Sequence, residues 1–116
     1  MKIGIDIKEE SRGEVKIITL SGRLDVNTSP GVQKQLQALM DKGEKRLVFD
    51  LSGLTYISSV GLGLLIIVAK KMQTIDGKLA LATLNDHIHE IFKIAGFTRV
   101  FSIYPTRDEA VAYCAG

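Results

Sequence analysis

The sequence has little of several residue types that define particular classes of protein. Its 116 residues include one cysteine, two prolines and no tryptophan. A single thiol, Cys114, cannot form an internal disulfide, and a chain of this length can bury enough surface to fold without one. Basic residues outnumber acidic ones by only 15 to 13, which is too small an excess for a nucleic-acid-binding surface. We therefore expect one domain, residues 1–116, in a reducing compartment and without a nucleic-acid partner.

No apolar run is long enough to cross a membrane. The longest, residues 60–69, is about half of the ~20 residues that a membrane helix needs, and Lys70 follows it. Residues 1–6 carry charges where a signal peptide requires an apolar core. We expect a cytoplasmic protein with no membrane partner.

Apolar periodicity predicts an α/β fold. Ile3, Ile5 and Ile7 alternate with polar residues, which is typical of a half-buried strand. Apolar and β-branched runs predict four more strands, at residues 15–20, 46–51, 78–82 and 100–104. Polar residues 9–13 predict a turn that joins the first two strands in an antiparallel hairpin, and residues 21–27 are expected to be irregular.

Four helices are predicted between and after these strands. Their expected N-terminal residues are hydroxyl or amide side chains that can cap a helix: Ser29 before Pro30, Ser58 or Ser59, Asn85, and Thr106. Regular alternation of strands and helices favours parallel strands joined by helical crossovers. The sequence therefore predicts a mixed, mostly parallel sheet of about five strands with four helices.

The motifs of metal and phosphate sites are missing. His87 and His89 are two positions apart on a predicted helix, so they point to different faces and cannot bind one metal ion together. Gly61 and Gly63 lack the third glycine of a dinucleotide-binding loop. We expect no metal and no cofactor, and we interpret both glycines as allowing the helix start to pack closely on the sheet.

Ser59 lacks the sequence setting of a catalytic serine. A nucleophile elbow requires glycine two residues before the serine, and Ile57 occupies that position. Ser59, Asp86 and His89 follow the order of a hydrolase triad, but such trios arise by chance in most chains. We therefore expect no enzyme.

Two hydroxyls instead stand before a helix that is hydrophobic on every side for its first turns. Such a helix is either buried all round or presents apolar surface to a partner, and both alternatives stay open. A phosphoryl group on Ser58 or Ser59 would add about −1.5 to −2 charge at neutral pH. Free amides at the helix start would tolerate this charge, whereas a binding partner matched to a neutral hydroxyl would not. The position suits a phosphorylation switch.

Several motifs together resemble the STAS domain family. Residues 20–25, LSGRLD, are similar to its Leu-x-Gly-x-Leu-Asp signature after the second strand. Residues 47–52, LVFDLS, and 55–63, TYISSVGLG, resemble its central strand and phosphorylation loop. Residues 77–79 and 94–97 extend the likeness over essentially the whole chain. The resemblance implies a STAS-like fold.

As a free-standing STAS domain, the chain resembles a bacterial anti-sigma factor antagonist. The resemblance implies that the unphosphorylated protein binds an anti-sigma factor and thereby frees a sigma factor for transcription. The anti-sigma factor is commonly a serine kinase that phosphorylates the antagonist and releases it. A metal-dependent serine phosphatase then resets the cycle.

The same resemblance implies site residues. The family pattern Asp-Ser-Ser/Thr-Gly-Leu-Gly aligns with residues 58–63, so Ser59 is the implied phosphoacceptor and Ser58 the second choice. Ser58 replaces the family aspartate, and Val60 replaces the second hydroxyl. Asp25 matches a family aspartate that helps the kinase to engage or holds the loop in shape. The implied partner-binding residues are Asp25, Ser58, Ser59, Val60, Gly61, Leu62 and Gly63.

Other functions stay open at this point. A STAS module can also act as a scaffold in a stress-sensing assembly or as the soluble partner of a lipid transporter. A small nucleotide-binding protein or a hydrolase is a more distant alternative. Saturable binding of labelled GTP or ATP, lost on mutation of Asp25 or Ser59, would favour nucleotide binding.

Overall fold

The computed structural model describes residues 4–116, so the predicted place of Ile3 in the first strand lies outside the described residues. The elements follow in the order β1 (Ile5–Arg12), β2 (Val15–Leu24), α1 (Ser29–Asp41), β3 (Arg46–Ile57), α2 (Ser59–Thr74), β4 (Lys78–Ala82), α3 (Asp86–Ile94), β5 (Ser102–Tyr104) and α4 (Arg107–Ala115). A short 3₁₀ helix, Phe97–Arg99, precedes β5.

The five strands form one sheet in the order β1-β2-β3-β4-β5. The first pair is antiparallel, whereas β2, β3, β4 and β5 pair in parallel. The prediction of a mixed, mostly parallel sheet with four helices is confirmed. The hairpin is also confirmed, although β1 continues to Arg12 and the turn follows at Gly13, where φ is +62°.

Helices cover both faces of this sheet. One face packs against α1, α2 and α3 through a core that includes Leu36, Leu65 and Phe92. The other face packs against α4 through Ala110 and Cys114. Strand β3 lies between these layers, and it is buried from residue 47 to residue 51, as its continuous apolar run predicts.

Strand β2 is longer than the sequence predicts. Residues 21–24 were expected to be irregular, but Gly22 pairs with Ile5 of β1 and Leu24 with Ile57 of β3. The register between β2 and β3 shifts twice, once between Thr19 and Ser21 and once between Gly22 and Arg23. A Cβ on Gly22 would lie 2.3 Å from the carbonyl oxygen of Gly4, so only glycine fits here. Tertiary pairing, rather than local preference, extends the strand.

The predicted N-cap of α1 is wrong. Thr28 precedes the helix without a side-chain cap, and Ser29 is its first residue, followed by Pro30. The buried Oγ of Ser29 has no hydrogen-bond partner among the described residues. Ser29 is already helical, and its amide donates to the carbonyl oxygen of Asp25 at 2.9 Å, so it does not have the extended backbone of a capping residue.

A buried carboxylate joins α4 to the sheet. Asp50 of β3 accepts hydrogen bonds from the Thr83 hydroxyl, from the Ser52 amide and from Nε and Nη2 of Arg107, the latter two at 3.0 and 2.7 Å. Burial by itself raises the pKa of Asp50, but these bonds outweigh it and hold the pKa below the ordinary value. The folded protein therefore keeps this carboxylate ionised.

We expect Asp50→Asn to reduce the free energy of unfolding by about 2 kcal/mol near neutral pH, because Arg107 loses the buried one of its two acidic partners and keeps only the exposed Glu10. The folded pKa of Asp50 is depressed, so its contribution is present above an unfolded pKa of about 3.9 and is lost as pH falls through the folded value. Urea unfolding should show wild type and variant converging below about pH 4. Equal stability at neutral pH would contradict this account.

Candidate functional site

The site lies where the ends of β2 and β3 run side by side. Leu24 is opposite Ile57, and the amide of Ser58 donates to the carbonyl oxygen of Leu24 at 2.9 Å. This bond places the start of α2 beside the loop that follows β2. Residues 20–25 and 55–63, which carry the family resemblance, thus meet at the carboxyl ends of β2 and β3.

The two adjacent serines have different surroundings. Ser58 has an extended backbone and caps α2, because its Oγ accepts a hydrogen bond from the amide of Gly61 at 3.2 Å. It is half-buried. Ser59 is the first residue of α2 and is exposed. The cap predicted at Ser58 or Ser59 is therefore supplied by Ser58, and the Ser59 side chain faces the surface.

Only one of the two glycines is needed for close packing. A Cβ on Gly61 would lie 2.7 Å from the carbonyl oxygen of Leu24 and 3.0 Å from Cγ1 of Ile57. That contact confirms the predicted close approach of the helix start to the sheet. A Cβ on Gly63 would have no neighbour within 4 Å, so the same interpretation is wrong for Gly63.

Asp25 organises the loop beside the two serines. Its Oδ1 accepts from the amides of Asn27 and Thr28 at 3.0 and 3.1 Å, and its Oδ2 lies 3.6 Å from Nε of Arg23. Partial desolvation favours a higher pKa for Asp25, but the bonds from Thr28 and Asn27 and the charge of Arg23 lower it overall. The carboxylate is thus ionised and is engaged in holding the loop.

Exposed apolar side chains occur in both of the segments that meet at this site. Val26 in the loop is 63% exposed, Val60 is 46% exposed and Ile67, two turns further along α2, is 43% exposed. Leu62 and Gly63 are half-buried, and Gly61 is buried. Helix α2 is therefore not buried all round, and it presents part of its apolar surface to solvent.

Three further residues of this site, Arg23, Val26 and Tyr56, were not predicted from the sequence. Arg23 lies opposite Tyr56 across β2 and β3, and its guanidinium carbon is 4.2 Å from the centre of the Tyr56 ring. The sequence signal for Val26 was an apolar residue in a predicted loop. The signal for Tyr56 was an aromatic residue shortly after the predicted strand at residues 46–51. We call Arg23, Val26, Tyr56, Ser59 and Val60 the docking surface.

We next consider whether metal-binding groups, a membrane helix or a reactive thiol accompany this site in the described part of the chain. Within residues 4–116, no group of three His, Cys, Asp or Glu side chains is placed to hold a metal ion. No helix in that range is long and apolar enough to cross a membrane. Burial raises the pKa of Cys114 to about 11, against the opposing charges of Lys78 and Arg46, so this thiol is protonated at neutral pH.

Comparison with known proteins gives one consistent family. The family model for the STAS domain matches residues 6–110. A candidate anti-sigma factor antagonist of Bordetella bronchiseptica, BtrV, is 38% identical over 96 residues, which cover 83% of each chain. The anti-sigma-B factor antagonist of Listeria monocytogenes is 30% identical over 109 residues, which cover 94% of this chain and 95% of the relative.

Solved structures share the fold. The anti-sigma factor antagonist SpoIIAA in its unphosphorylated form superposes with a TM-score of 0.81 at 18% identity, over 96% of this chain and 97% of its own. The phosphorylated form of Bacillus SpoIIAA superposes with a TM-score of 0.72 at 18% identity, over 93% and 98%. At this level of sequence identity, both comparisons show a shared fold.

Proposed function

The chain belongs to the STAS domain family, and we propose that it is an anti-sigma factor antagonist that is switched off by phosphorylation at Ser59. The unphosphorylated protein binds an anti-sigma factor and frees a sigma factor for transcription. The anti-sigma factor is a serine kinase that phosphorylates Ser59, and a serine phosphatase restores the binding form. In this cycle the chain is a substrate and a binding partner, with no catalytic activity of its own.

One observation supports Ser59 as the acceptor above all others. The Ser58 hydroxyl is used to cap α2, whereas the Ser59 side chain is exposed on the first helical residue. A kinase must reach the acceptor oxygen and align it with the γ-phosphate of ATP. The exposed hydroxyl meets that requirement without breaking a cap.

Because of the surroundings of Ser59, we expect phosphorylation to preserve the fold and to prevent binding. A phosphoryl group there would lie at the N-terminal end of a 16-residue helix, where the macrodipole favours negative charge. The fold is therefore expected to survive. Val60 follows the acceptor in sequence and is exposed and apolar, and a partner packed on it would have to desolvate the new dianion. Binding is the property that should be lost.

The proposal also places the protein in the cell. The sigma factor that is freed acts on RNA polymerase, and the chain acts on the anti-sigma factor, so the proposed site of action is the cytoplasm. The Asp25 carboxylate, which is bonded to the loop amides, holds the loop in shape for the partner. Of the predicted partner-binding residues at the start of α2, Ser59 and Val60 are exposed and Ser58, Leu62 and Gly63 are half-buried, so these five can contact the partner, whereas Gly61 is buried and seats the helix on β2.

Mapping the phosphate by mass spectrometry tests the proposal. After incubation with the anti-sigma kinase of the source organism and ATP, we expect one phosphate on Ser59 in wild type and in Ser58→Ala. Ser58→Ala loses the cap of α2, which costs about 1 kcal/mol, and should remain folded. Ser59→Ala should remain unmodified. Phosphate on Ser58 in wild type, or no modification under these conditions, would contradict the proposal.

A further inference from the structure

A cation stands at the edge of the docking surface. The side chain of Arg23 is 55% exposed, and its guanidinium lies 4.2 Å from the centre of the Tyr56 ring. The Thr55 hydroxyl donates to the carbonyl oxygen of Gly22 at 2.9 Å, which ties together the two strand ends that carry this pair. Stacking on an aromatic ring restricts an arginine side chain and orients it before a partner arrives.

Arg23 forms a loose ion pair with the neighbouring acid and still exposes much of its side chain. Nε of Arg23 is 3.6 Å from Oδ2 of Asp25, which is longer than a hydrogen bond. Asp25 is only 17% exposed, and its other oxygen accepts the loop amides of Asn27 and Thr28. The acid therefore uses one oxygen for its own loop and the other for the ion pair, whereas the Arg23 side chain stays more than half exposed.

The chemistry of the two segments that carry Arg23 and Tyr56 indicates what Arg23 can recognise. Val26 and Val60 are exposed and apolar, and Tyr56 adds an aromatic ring. Arginine and tyrosine beside apolar groups are the residue types that dominate binding energy in protein interfaces. A carboxylate is the group that matches a guanidinium in charge and in geometry.

We propose that Arg23, held over Tyr56, is a specificity-determining residue that binds an acidic side chain of the anti-sigma factor. The inference rests on the proposed function, and it adds the chemistry of the partner surface. An anti-sigma factor with an acidic group opposite Arg23 would be accepted, and one with a basic group there would be rejected by like charge.

Charge reversal tests this inference against a matched control. Arg23→Glu should weaken binding to the unphosphorylated chain by about tenfold or more, measured by calorimetric titration with the purified anti-sigma kinase. Arg99→Glu changes the net charge equally at an exposed position on the 3₁₀ helix, outside the docking surface, and should bind within about twofold of wild type. Far-UV circular dichroism checks that both variants are folded.

A second variant separates recognition from structure. Arg23→Gln keeps a polar side chain without charge, and its dissociation constant should depend less steeply on salt than that of wild type. Unchanged binding by Arg23→Glu, an equal loss in Arg99→Glu, or an unchanged salt dependence in Arg23→Gln would each overturn the inference. If wild type itself neither binds nor is phosphorylated, the proposed function fails instead.

Discussion

Replacing Ser59 by aspartate is expected to weaken binding to the anti-sigma kinase by about a hundredfold or more while the fold stays native. The new carboxylate lies at the exposed N-terminal residue of α2, where the helix dipole favours negative charge. The same charge sits beside Val60 in an interface that would exclude water, so the bound state carries the cost of desolvation. Calorimetric titration measures the affinity, and far-UV circular dichroism measures the fold.

The matched control is Ser59→Ala. It removes the acceptor without adding charge, so it should bind about as tightly as wild type and resist phosphorylation. Tight binding by both variants would show that charge at this position does not control the interaction. Loss of binding in both would show that the hydroxyl itself is required, and a charge switch would then not explain the result.

Gly61→Ala is expected to reduce the free energy of unfolding by about 2 kcal/mol, although alanine is the better helix former. The added Cβ would lie 2.7 Å from the carbonyl oxygen of Leu24 and 2.9 Å from its Cγ. Leu24 is fully buried, and its carbonyl already accepts the Ser58 amide. The backbone therefore has to move, and the start of α2 moves with it.

Gly63→Ala is the control for this substitution. The chemical change is identical and only two residues away, but the added Cβ meets nothing within 4 Å. Helix propensity then acts alone and should stabilise the protein by up to about 1 kcal/mol. Urea unfolding of both variants should move the midpoint in opposite directions. Equal stability of the two would mean that α2 is not seated against β2 as described.

Much of the fold was predictable because local patterns agree with the tertiary structure. The apolar run that begins at Leu47 is buried on both faces of the sheet. The side chain of Asn85 caps α3 by accepting a hydrogen bond from the amide of Ile88. The end of β2 was not predictable, because its residues are strand only through pairing with β1 and β3. Ser29 is not the cap because the helix already includes it, and its amide bonds to the carbonyl oxygen of Asp25.

The site was predictable in part. The family resemblance points to Ser59 over Ser58, but the physical difference between them, one capping hydroxyl and one exposed hydroxyl, appears only in the structure. The Arg23–Tyr56 contact depends on a register shift between β2 and β3, which periodicity cannot reveal. Gly63 shows the opposite case, in which an attractive sequence motif has no packing role.

The most direct measurement of the central claim uses the modification itself. The chain would be phosphorylated by the kinase, purified, and compared with the unmodified chain in calorimetric titrations against the same anti-sigma factor. The account predicts tight binding of the unmodified chain and an affinity about a hundredfold or more lower for the chain phosphorylated on Ser59. Equal affinities for the two forms would contradict it.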